Sequence, residues 1–387
     1  MDEWQHLLRE QFPIITANPG LAYLDSAATA QKPQAVLDAV TDYLTTGNAN
    51  AGRGTYTWAN HTTARVEQAR QQVAAFLGDP APDRSGVHFV SGTTEGLRAV
   101  ARDWLTGYLR DGDEIIVPYA DHNANLLPWL EAIDLLGRQG IRVAVREMPY
   151  DAAHDYDTAR LPVGPRTRFI AATHVHHVYG GDMNVARLRA AAGPDVVICV
   201  DAAQSVGHLP VSVANLDADF VVFSGHKAMA LPGIGAVWAA NQRGPAFRPG
   251  GWAGTPNTAG ILSLAAALDW LDEAGLDQIA RWTVALGARL TDGLRRLQSY
   301  EVLGCQRSLA LDSAVQQRHG IVTFRHRRIV SNDLGFILAG EGIMIRADDH
   351  CQSDKGEKTA SVRVSLHIYN TAEEIDRLLQ ILTELDE

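Results

Sequence analysis

Three short polar segments, each directly after an apolar run, contain the side chains best suited to chemistry. They are Ser91–Gly96, the segment that begins at Asp201, and Ser224–Ala228. Small hydroxyl residues at a helix start leave backbone amides free to bind phosphate. Asp201, at the end of a buried strand, needs a cationic partner to stay ionised. Lys227 follows an apolar run with little other charge nearby, so its amine can become a nucleophile.

Each segment also has a plain structural interpretation when it is taken alone. Thr93 or Thr94 can cap the next helix, Asp201 can do the same, and Lys227 can extend along the sheet edge to solvent. Together, however, an anion site, a carboxylate and an amine at neighbouring strand ends are the parts that bind pyridoxal 5'-phosphate (PLP). The conjunction therefore predicts a PLP site.

The elements that position these segments form an α/β pattern. Between about residue 86 and residue 240, β-branched runs alternate with helical stretches. The runs are VHFV, EIIVP, RVAVREM, RFIAATHV, VVICVD, DFVVFS and GAVWAA. They predict one seven-stranded, mostly parallel sheet with helices on both faces. Ligands bind beyond the carboxyl ends of such strands, which is where the three polar segments lie.

The pattern changes beyond residue 260. A long amphipathic helix is predicted over LSLAAALDWLDEAG and LDQIARWTVALGARLTDGLRRLQ, followed by strands at YEVLG, GIVTFRH, GIMIRA and VRVSLHI. This order predicts a smaller C-terminal α+β domain. We expect an N-terminal segment at 1–16 that packs with the small domain, a large PLP-binding domain at 17–262, and the small domain at 263–387.

Composition narrows the class of ligand and the compartment. The 387 residues include 34 basic and 45 acidic side chains, and the net charge of -11 argues against a nucleic-acid partner. No apolar run approaches the roughly 20 residues of a membrane span, and the first residues do not resemble a signal peptide. Three cysteines, Cys199, Cys305 and Cys351, suit a reducing compartment. We expect a cytoplasmic protein with a small-molecule ligand and no membrane partner.

A series of motifs along nearly the whole chain resembles a known family. The motifs include YLDSAATAQKPQAV, NANAGRGTY, VSGTTEG, DEIIVPYADHNANLLPW, DAAQSVGHLPV, DFVVFSGHKA, AGTPNTAGI and VRVSLHIYNTAEEIDRLL. In this order they resemble the class V aminotransferase group of fold-type I PLP enzymes, in the branch of cysteine desulfurases and selenocysteine lyases. The resemblance implies the fold-type I architecture, PLP as cofactor and an amino acid as substrate.

The resemblance also implies a role for each matching residue around the cofactor. Lys227 is the Schiff-base lysine and moves the Cα proton, while His122 stacks on the ring and assists proton transfer. Asp201 pairs with the pyridine nitrogen, and Gln204 reaches the phenolic oxygen. His177 stands where the family commonly has Asn and is expected to contact the cofactor or the substrate. The implied phosphate ligands are Thr93, Thr94, Ser224 and His226.

Other matching residues are implied on the substrate side and at an interface. Arg363 is expected to clamp the substrate carboxylate, a bidentate task that suits a guanidinium group. Ala28, Asn50 and Arg53 are expected to contact the substrate. Thr255 matches a residue that reaches the partner's phosphate across a dimer interface, which implies a homodimer.

Cys351 stands where desulfurases have the cysteine that attacks the substrate sulfur and holds a persulfide. Three segments nevertheless depart from the family. CQSDKGEKTASV is short and charged, Gly52 stands where a histidine is common, and the connection from GAVWAANQRGPAF to AGTPN is shorter. Such losses enlarge a pocket. We therefore expect carbon-sulfur cleavage by β-elimination of cysteine or of a bulkier S-substituted cysteine.

Several alternatives stay open. The nearest is cysteine desulfuration with a persulfide on Cys351. Decarboxylation coupled to oxidative deamination, epimerisation and transamination use the same kind of site, and a non-catalytic binding protein is an alternative of another class. His174, His176, His177 and Asp182 resemble a metal set, but His177 points away from the other two histidines in a strand. We therefore expect no metal.

Overall fold

The computed structural model describes residues 3–82, 86–240, 247, 254–304, 318–352 and 360–386. The α-helices of this part are α1 (Glu3–Arg9), α2 (Pro13–Thr16), α3 (Gln34–Thr46), α4 (Thr57–Phe76), α5 (Thr93–Val100), α6 (Thr106–Tyr108), α7 (Leu127–Arg138), α8 (Val185–Ala192), α9 (Val213–Leu216), α10 (Thr258–Ala274), α11 (Leu276–Leu294), α12 (Ser331–Gly340) and α13 (Ala372–Glu384). A π-helical turn, Ala101–Leu105, joins α5 to α6. No helix within the described ranges has the length and apolar character that crossing a membrane requires.

The strands divide into a large sheet, a small sheet and a two-stranded pair. They are β1 (Ala22–Tyr23), β2 (His88–Val90), β3 (Glu114–Val117), β4 (Ala144–Glu147), β5 (Thr167–Thr173), β6 (Val197–Asp201), β7 (Phe220–Ser224), β8 (Gly235–Ala239), β9 (Tyr300–Val302), β10 (Ile321–His326), β11 (Ile343–Met344), β12 (Arg346–Asp348) and β13 (Ser361–Ser365).

The large sheet has seven strands in the order β2-β8-β7-β6-β5-β3-β4. Strand β8 runs antiparallel to both of its neighbours, and the other pairs are parallel. Each β-branched run of the sequence forms one of these strands, so the predicted seven-stranded, mostly parallel sheet is confirmed. In the register, Asp201 lies opposite Thr173 of β5 and Val222 of β7, which brings the ends of three strands together.

Both faces of the large sheet are buried, which explains why its central strands are apolar throughout. Val221 and Phe223 belong to the apolar cluster on one face, whereas Phe220 and Val222 belong to the cluster on the other. Successive side chains of a strand point to opposite faces, so a strand covered on both sides needs apolar residues at every position. Helix α10 packs with α3 and α4, while α5 packs on β7 and β8.

A smaller C-terminal layer has its own sheet and core. Its four strands are antiparallel in the order β12-β13-β10-β9, and α11, α12 and α13 pack around them. A capping box between Thr371 and Glu374 starts α13. The long helix expected from the sequence is two helices, because Gly275 with φ +84° ends α10 and precedes α11. The single strand expected at GIMIRA is likewise two short strands, β11 and β12.

The N-terminal segment contacts the C-terminal part of the chain. Gln5 Nε2 donates to the carbonyl of Ile368 at 2.7 Å, and Arg9 forms a salt bridge of 2.8 Å with Glu374. Position 262, the expected end of the large domain, lies inside α10. This helix packs mainly on α3 and α4, so the chain passes from one layer to the other between α10 and α11.

Gly96 sets how closely α5 approaches the large sheet. A Cβ at this position would lie 2.4 Å from Cγ1 of Val222 and 3.0 Å from Cγ2 of Val237. We expect Gly96→Ala to lower the free energy of unfolding by about 1–3 kcal/mol, because overpacking outweighs the better helix propensity of alanine. Chemical denaturation of the purified variant measures the change.

Gly137→Ala in α7 is the matched control for this substitution. No atom lies within 4 Å of a Cβ at Gly137, so alanine should stabilise the helix by up to about 1 kcal/mol. Equal stability of the two variants would show that α5 has room to shift and that the close packing at Gly96 is unimportant.

Candidate active site

A cavity of about 250 Å³ opens at the carboxyl ends of β5, β6 and β7, the edge where α/β sheets bind ligands. Most residues predicted from the sequence line it. These are Ala28, Thr93, Thr94, His122, His177, Asp201, Gln204, Ser224, His226, Lys227 and Arg363. Arg346 and His350 line it too, although neither was predicted to contact the cofactor or the substrate. The cavity therefore lies between the large sheet and the small one.

Lys227 ends a short 3-10 turn that follows β7, and its side chain faces the cavity. The pKa of its amine is lowered to about 8, mainly by burial; Asp201 opposes the shift, and the positive charges of Arg363 and Arg346 add to it. An ordinary lysine stays protonated until about pH 10.4. The amine of Lys227 therefore has an appreciable neutral, nucleophilic fraction near neutral pH.

Asp201 is buried at the end of β6, and one of its oxygens, Oδ1, accepts from the backbone N–H of Ala203 at 2.9 Å. Burial raises the pKa of this carboxyl to about 6. A cation bound beside Asp201 would offset the cost of burying its charge. Gln204 donates through Nε2 to the carbonyl of Ala27 at 3.0 Å, and its Oε1 has no hydrogen-bond partner within the described ranges.

The start of α5 and the end of β7 form a small polar cup. The hydroxyl of Ser224 accepts from the backbone N–H of Thr93 at 2.8 Å and lies 2.7 Å from the Thr93 hydroxyl. Gly92, with φ +156°, permits this approach, because a Cβ there would lie 3.3 Å from the Ser224 hydroxyl. Hydroxyl groups at the positive end of a helix suit an anion. Burial lowers the pKa of His226 to about 4, so its ring is neutral.

Two imidazole rings meet edge to face in the cavity. The centroids of His122 and His177 are 5.1 Å apart with the rings inclined at 79°. His122 Nδ1 accepts from the N–H of Ala124 at 3.1 Å, and burial lowers the pKa of the ring to about 3. The neutral ring therefore has its proton on Nε2. Neither ring nitrogen of His177 has a hydrogen-bond partner among the described residues, so both are available to a bound molecule.

Arg363 is the cationic group best placed for a carboxylate. It lies in β13 and is only 1% exposed. One guanidinium nitrogen donates to Asp25 Oδ1 at 3.1 Å and another to the carbonyl of His177 at 3.1 Å. Its Nε has no partner in the described part of the chain. The guanidinium is thus fixed in place with a donor still available, as carboxylate binding requires.

A second arginine lies directly opposite the first. Arg346 of β12 and Arg363 of β13 are paired in the antiparallel register. Arg346 Nη2 lies 3.1 Å from the Sγ of Cys351, so the thiol is beside the cavity although it does not line it. The sequence feature that could have indicated Arg346 is its position shortly before Cys351 in GIMIRADDHC.

Besides Cys351, three predicted residues lie outside the cavity lining, namely Asn50, Arg53 and Thr255. Asn50 Nδ2 lies 3.3 Å from the hydroxyl of Thr255, and Arg53 is exposed. The single chain therefore places these side chains on a surface beyond the cavity. The roles expected for them, contact with the substrate and with a partner's phosphate, stay predictions.

The four residues that resemble a metal set in the sequence do not form a compact cluster. His176 Nδ1 accepts from the backbone N–H groups of Val178 and Tyr179, and its ring stacks on that of His177 with centroids 5.0 Å apart. The carboxylate of Asp182 lies 3.7 Å from His319 Nε2. Among the described residues, no group of three or more His, Cys, Asp or Glu side chains is arranged to hold a metal ion.

The chemistry of the cavity fits PLP at three points. The buried carboxyl of Asp201 would pair with a protonated pyridine nitrogen, the Lys227 amine suits an aldehyde, and the cup of Thr93 and Ser224 suits a phosphate. When bound, PLP supplies an aldehyde that reacts with this amine and a ring that withdraws electrons from the substrate Cα. His122 lines the same cavity, and its ring is neutral and held by Ala124.

Borohydride reduction after incubation with PLP should attach the cofactor to Lys227. We expect the rate of attachment to rise with pH and level off above about pH 8, because only the neutral amine reacts and its pKa is about 8. Growth of the visible absorbance gives the rate, and peptide mass spectrometry after reduction identifies the lysine.

Lys32 provides the matched control for this labelling. Burial also lowers its pKa to about 8, but its amine donates to the Thr29 hydroxyl and the Ala30 carbonyl and does not line the cavity. Lys32→Ala should keep the label and Lys227→Ala should lose it. Labelling at Lys32, or a rate that keeps rising towards pH 10, would contradict the assignment.

Comparisons with a family model and with individual relatives indicate the same family. The sequence model of "Aminotransferase class-V" matches residues 22–378. A "Cysteine desulfurase" of Klebsiella pneumoniae (strain 342) is 36% identical over 403 residues, which cover 96% of this chain and 96% of the relative. "Cysteine desulfurase CsdA" of Escherichia coli (strain K12) is 34% identical over 400 residues, with 96% and 95% covered.

Solved structures agree with the sequence relatives. The apo cysteine desulfurase from Thermococcus onnurineus NA1 superposes with a TM-score of 0.86 at 28% identity, covering 98% of this chain and 97% of that one. CsdA from Escherichia coli, in its S-sulfonic acid form, gives a TM-score of 0.82 at 30% identity, covering 98% of each chain. Sequence, fold and site together establish that the chain belongs to the class V aminotransferase family and is a PLP-dependent enzyme of the cysteine desulfurase-like branch.

Proposed function

We propose that the protein is a cysteine desulfurase, which converts free cysteine to alanine and holds the sulfur as a persulfide on Cys351. The observation that carries this proposal is the 3.1 Å contact between Cys351 Sγ and Nη2 of Arg346, at the edge of the cavity that contains Lys227. The relatives named cysteine desulfurases support it.

Two arginines would recognise the anionic parts of cysteine. Arg363 is buried, held by Asp25 and the His177 carbonyl, and retains an unpartnered Nε for the substrate carboxylate. Arg346 is held near the thiol, so its guanidinium faces the region where the substrate sulfur would lie. With the carboxylate held by Arg363 and the sulfur near Arg346, the amino acid would be oriented with its sulfur towards Cys351.

Lys227 and His122 would move the protons. The amine of Lys227, neutral in part because its pKa is about 8, takes the Cα proton of the bound amino acid. His122 presents a proton on Nε2 because its Nδ1 accepts from Ala124. Protonation of the carbon fragment after sulfur transfer therefore has two donors within the same cavity.

Sulfur transfer would occur by attack of the Cys351 thiolate on the substrate sulfur. A sulfur-sulfur bond forms as the bond between the substrate Cβ and its sulfur breaks. The electron pair of the broken bond stays with the carbon fragment, which takes up one proton at Cβ, regains one at Cα and leaves as alanine. Cys351 then has a persulfide, which a second thiol must remove before the next turnover. Arg346 would stabilise the anionic sulfur before and after the step.

β-Elimination, the main expectation from the sequence, needs no thiol from the protein. This expectation was based partly on segments that are shorter than in the family. Much of these segments, at 241–246, 248–253 and 353–359, lies outside the described residues. The named relatives favour desulfuration over β-elimination. Decarboxylation, epimerisation and transamination likewise leave the contact between Arg346 and Cys351 without a use.

Cys351→Ala should abolish alanine formation from cysteine, with a loss of more than about 1,000-fold, because the variant lacks the nucleophile. Chromatography measures alanine and pyruvate, and mass spectrometry of the wild-type protein detects one added sulfur on the Cys351 peptide. Cys199→Ala is the control, since Cys199 is buried in β6 away from the cavity. Unchanged alanine formation in Cys351→Ala, or pyruvate as the wild-type product, would exclude the desulfurase proposal.

We also propose that two copies form a homodimer around the surface that contains Asn50 and Thr255. Tyr56 and Trp58 are 55% and 58% exposed a few residues from Asn50. Large exposed aromatic side chains are enriched at interfaces between proteins. Sedimentation velocity of the PLP-loaded protein should give the mass of a dimer, and a monomer at micromolar concentration would contradict this proposal.

A further inference from the structure

Asp348 holds the arginine that contacts the thiol. Nε of Arg346 donates to both carboxylate oxygens of Asp348, at 2.8 and 2.9 Å. The same guanidinium reaches Cys351 Sγ through Nη2 at 3.1 Å. A free arginine side chain has many rotamers, so a carboxylate that fixes one edge of the guanidinium also fixes the direction of the other.

Asp348 also holds the residue next to the cysteine. Its Oδ1 accepts from the backbone N–H of His350 at 2.6 Å and lies 3.1 Å from Nδ1 of the His350 ring. Nε2 of that ring lies 2.9 Å from the hydroxyl of Ser361 in β13. One carboxylate therefore contacts both Arg346 and His350, the two cavity residues that flank the thiol.

The backbone at the thiol needs such support. His350 and Cys351 have φ values of +54° and +58°, in the left-handed region that residues with a side chain rarely adopt. Asp349 Oδ1 accepts from the N–H of Cys351 at 3.2 Å, and the Cys351 carbonyl accepts from Asn123 at 3.3 Å. Two successive residues in this region would relax to other conformations without neighbours that fix them.

We propose that Asp348 is a positioning residue for Cys351, which acts by holding Arg346 and His350 so that the guanidinium lies against the sulfur. This inference rests on the proposed function in one respect only, namely that the thiol is used in sulfur transfer. The placement of the thiol beside a fixed guanidinium makes Cys351 reactive towards any electrophile of suitable size, including the sulfur of a bound cysteine.

The charge of Asp348 alone would have the opposite effect. A carboxylate close to a thiol disfavours the thiolate, whereas a guanidinium in contact with the sulfur favours it. Removal of the Asp348 charge would therefore speed reactions of Cys351 if only charge mattered, and slow them if the held guanidinium mattered more. The sign of the change decides between the two.

Alkylation of Cys351 by iodoacetamide in the PLP-loaded enzyme measures this sign. We expect Asp348→Asn to be alkylated about tenfold more slowly than the wild type at pH 7, the size of one charge-assisted hydrogen bond. Peptide mass spectrometry follows Cys351 separately from Cys199 and Cys305. The visible absorbance of the bound cofactor confirms that the variant is folded and loaded.

Asp349→Asn is the matched control, because it removes one carboxylate charge from the neighbouring residue. An asparagine at 349 keeps an oxygen that can accept from the Cys351 N–H, so we expect its alkylation rate to equal the wild-type rate or exceed it. A rate for Asp348→Asn that equals or exceeds the wild-type rate would overturn the inference.

Arg346→Gln tests whether Asp348 acts through the guanidinium. We expect this variant to be as slow as Asp348→Asn, and the double variant to be no slower than either single one, since both changes remove the same contact. If Cys351 is alkylated more slowly in the double variant than in either single variant, Asp348 does not act through Arg346. Asp348→Glu, which keeps the carboxylate, should restore part of the rate.

Steady-state kinetics with cysteine separate this inference from the proposed function. We expect the kcat for alanine formation in Asp348→Asn to fall about tenfold with KM changed less than about twofold, because Arg363 still binds the carboxylate. If the wild type forms no alanine while Asp348→Asn is still alkylated slowly, the desulfurase proposal fails and the positioning role stands. If Asp348→Asn is alkylated at the wild-type rate while the wild type forms alanine normally, the positioning role fails and the desulfurase proposal stands.

Discussion

The concentration of positive charge around the amine of Lys227 is the constraint on which the site depends. Lys227, Arg346 and Arg363 all line one cavity, and the two guanidinium groups lower the pKa of the amine that burial has already lowered. Asp201 opposes the shift, and its own pKa is raised by the same burial. A site with this balance releases a proton from the amine readily and attracts anions. Burial is the main cause of the lowered pKa of Lys227, and the two guanidinium groups add to that lowering while they also attract anions.

The facing arginines show how the fold tolerates that charge. Arg346 and Arg363 lie directly opposite each other in β12 and β13, a pairing of like charges that is unfavourable in an antiparallel sheet. Each is held by its own carboxylate, Arg346 by Asp348 and Arg363 by Asp25. The carboxylates reduce the repulsion, and each leaves part of its arginine free to face the cavity. A bound anion between the two guanidinium groups would reduce the repulsion further.

The sequence was informative where burial imposes a simple pattern. The central strands of the large sheet are apolar on both faces, so their ends, and with them Asp201 and Lys227, were recognisable. Arg346 and His350 were missed because β12 has only three half-buried residues and no periodicity. GIMIRA looks like one strand, but Ile343–Met344 pairs in parallel with β1 and Arg346–Asp348 pairs with β13. Pairing of that kind depends on tertiary contacts that a local pattern does not encode.

The two layers contribute different parts of the chemistry, so their joining is itself functional. The large sheet places Lys227 and Asp201, whereas the small sheet places Arg363 and the loop of Cys351. The loop is joined to the segment that contains His122, because His122 pairs with Gln352 in an isolated bridge and Asn123 donates to the Cys351 carbonyl. The residue expected to lie on the cofactor and the thiol are therefore connected by backbone hydrogen bonds. A movement between the layers would displace the sulfur relative to Lys227, and these bonds, with Asp25 on Arg363, help to resist it.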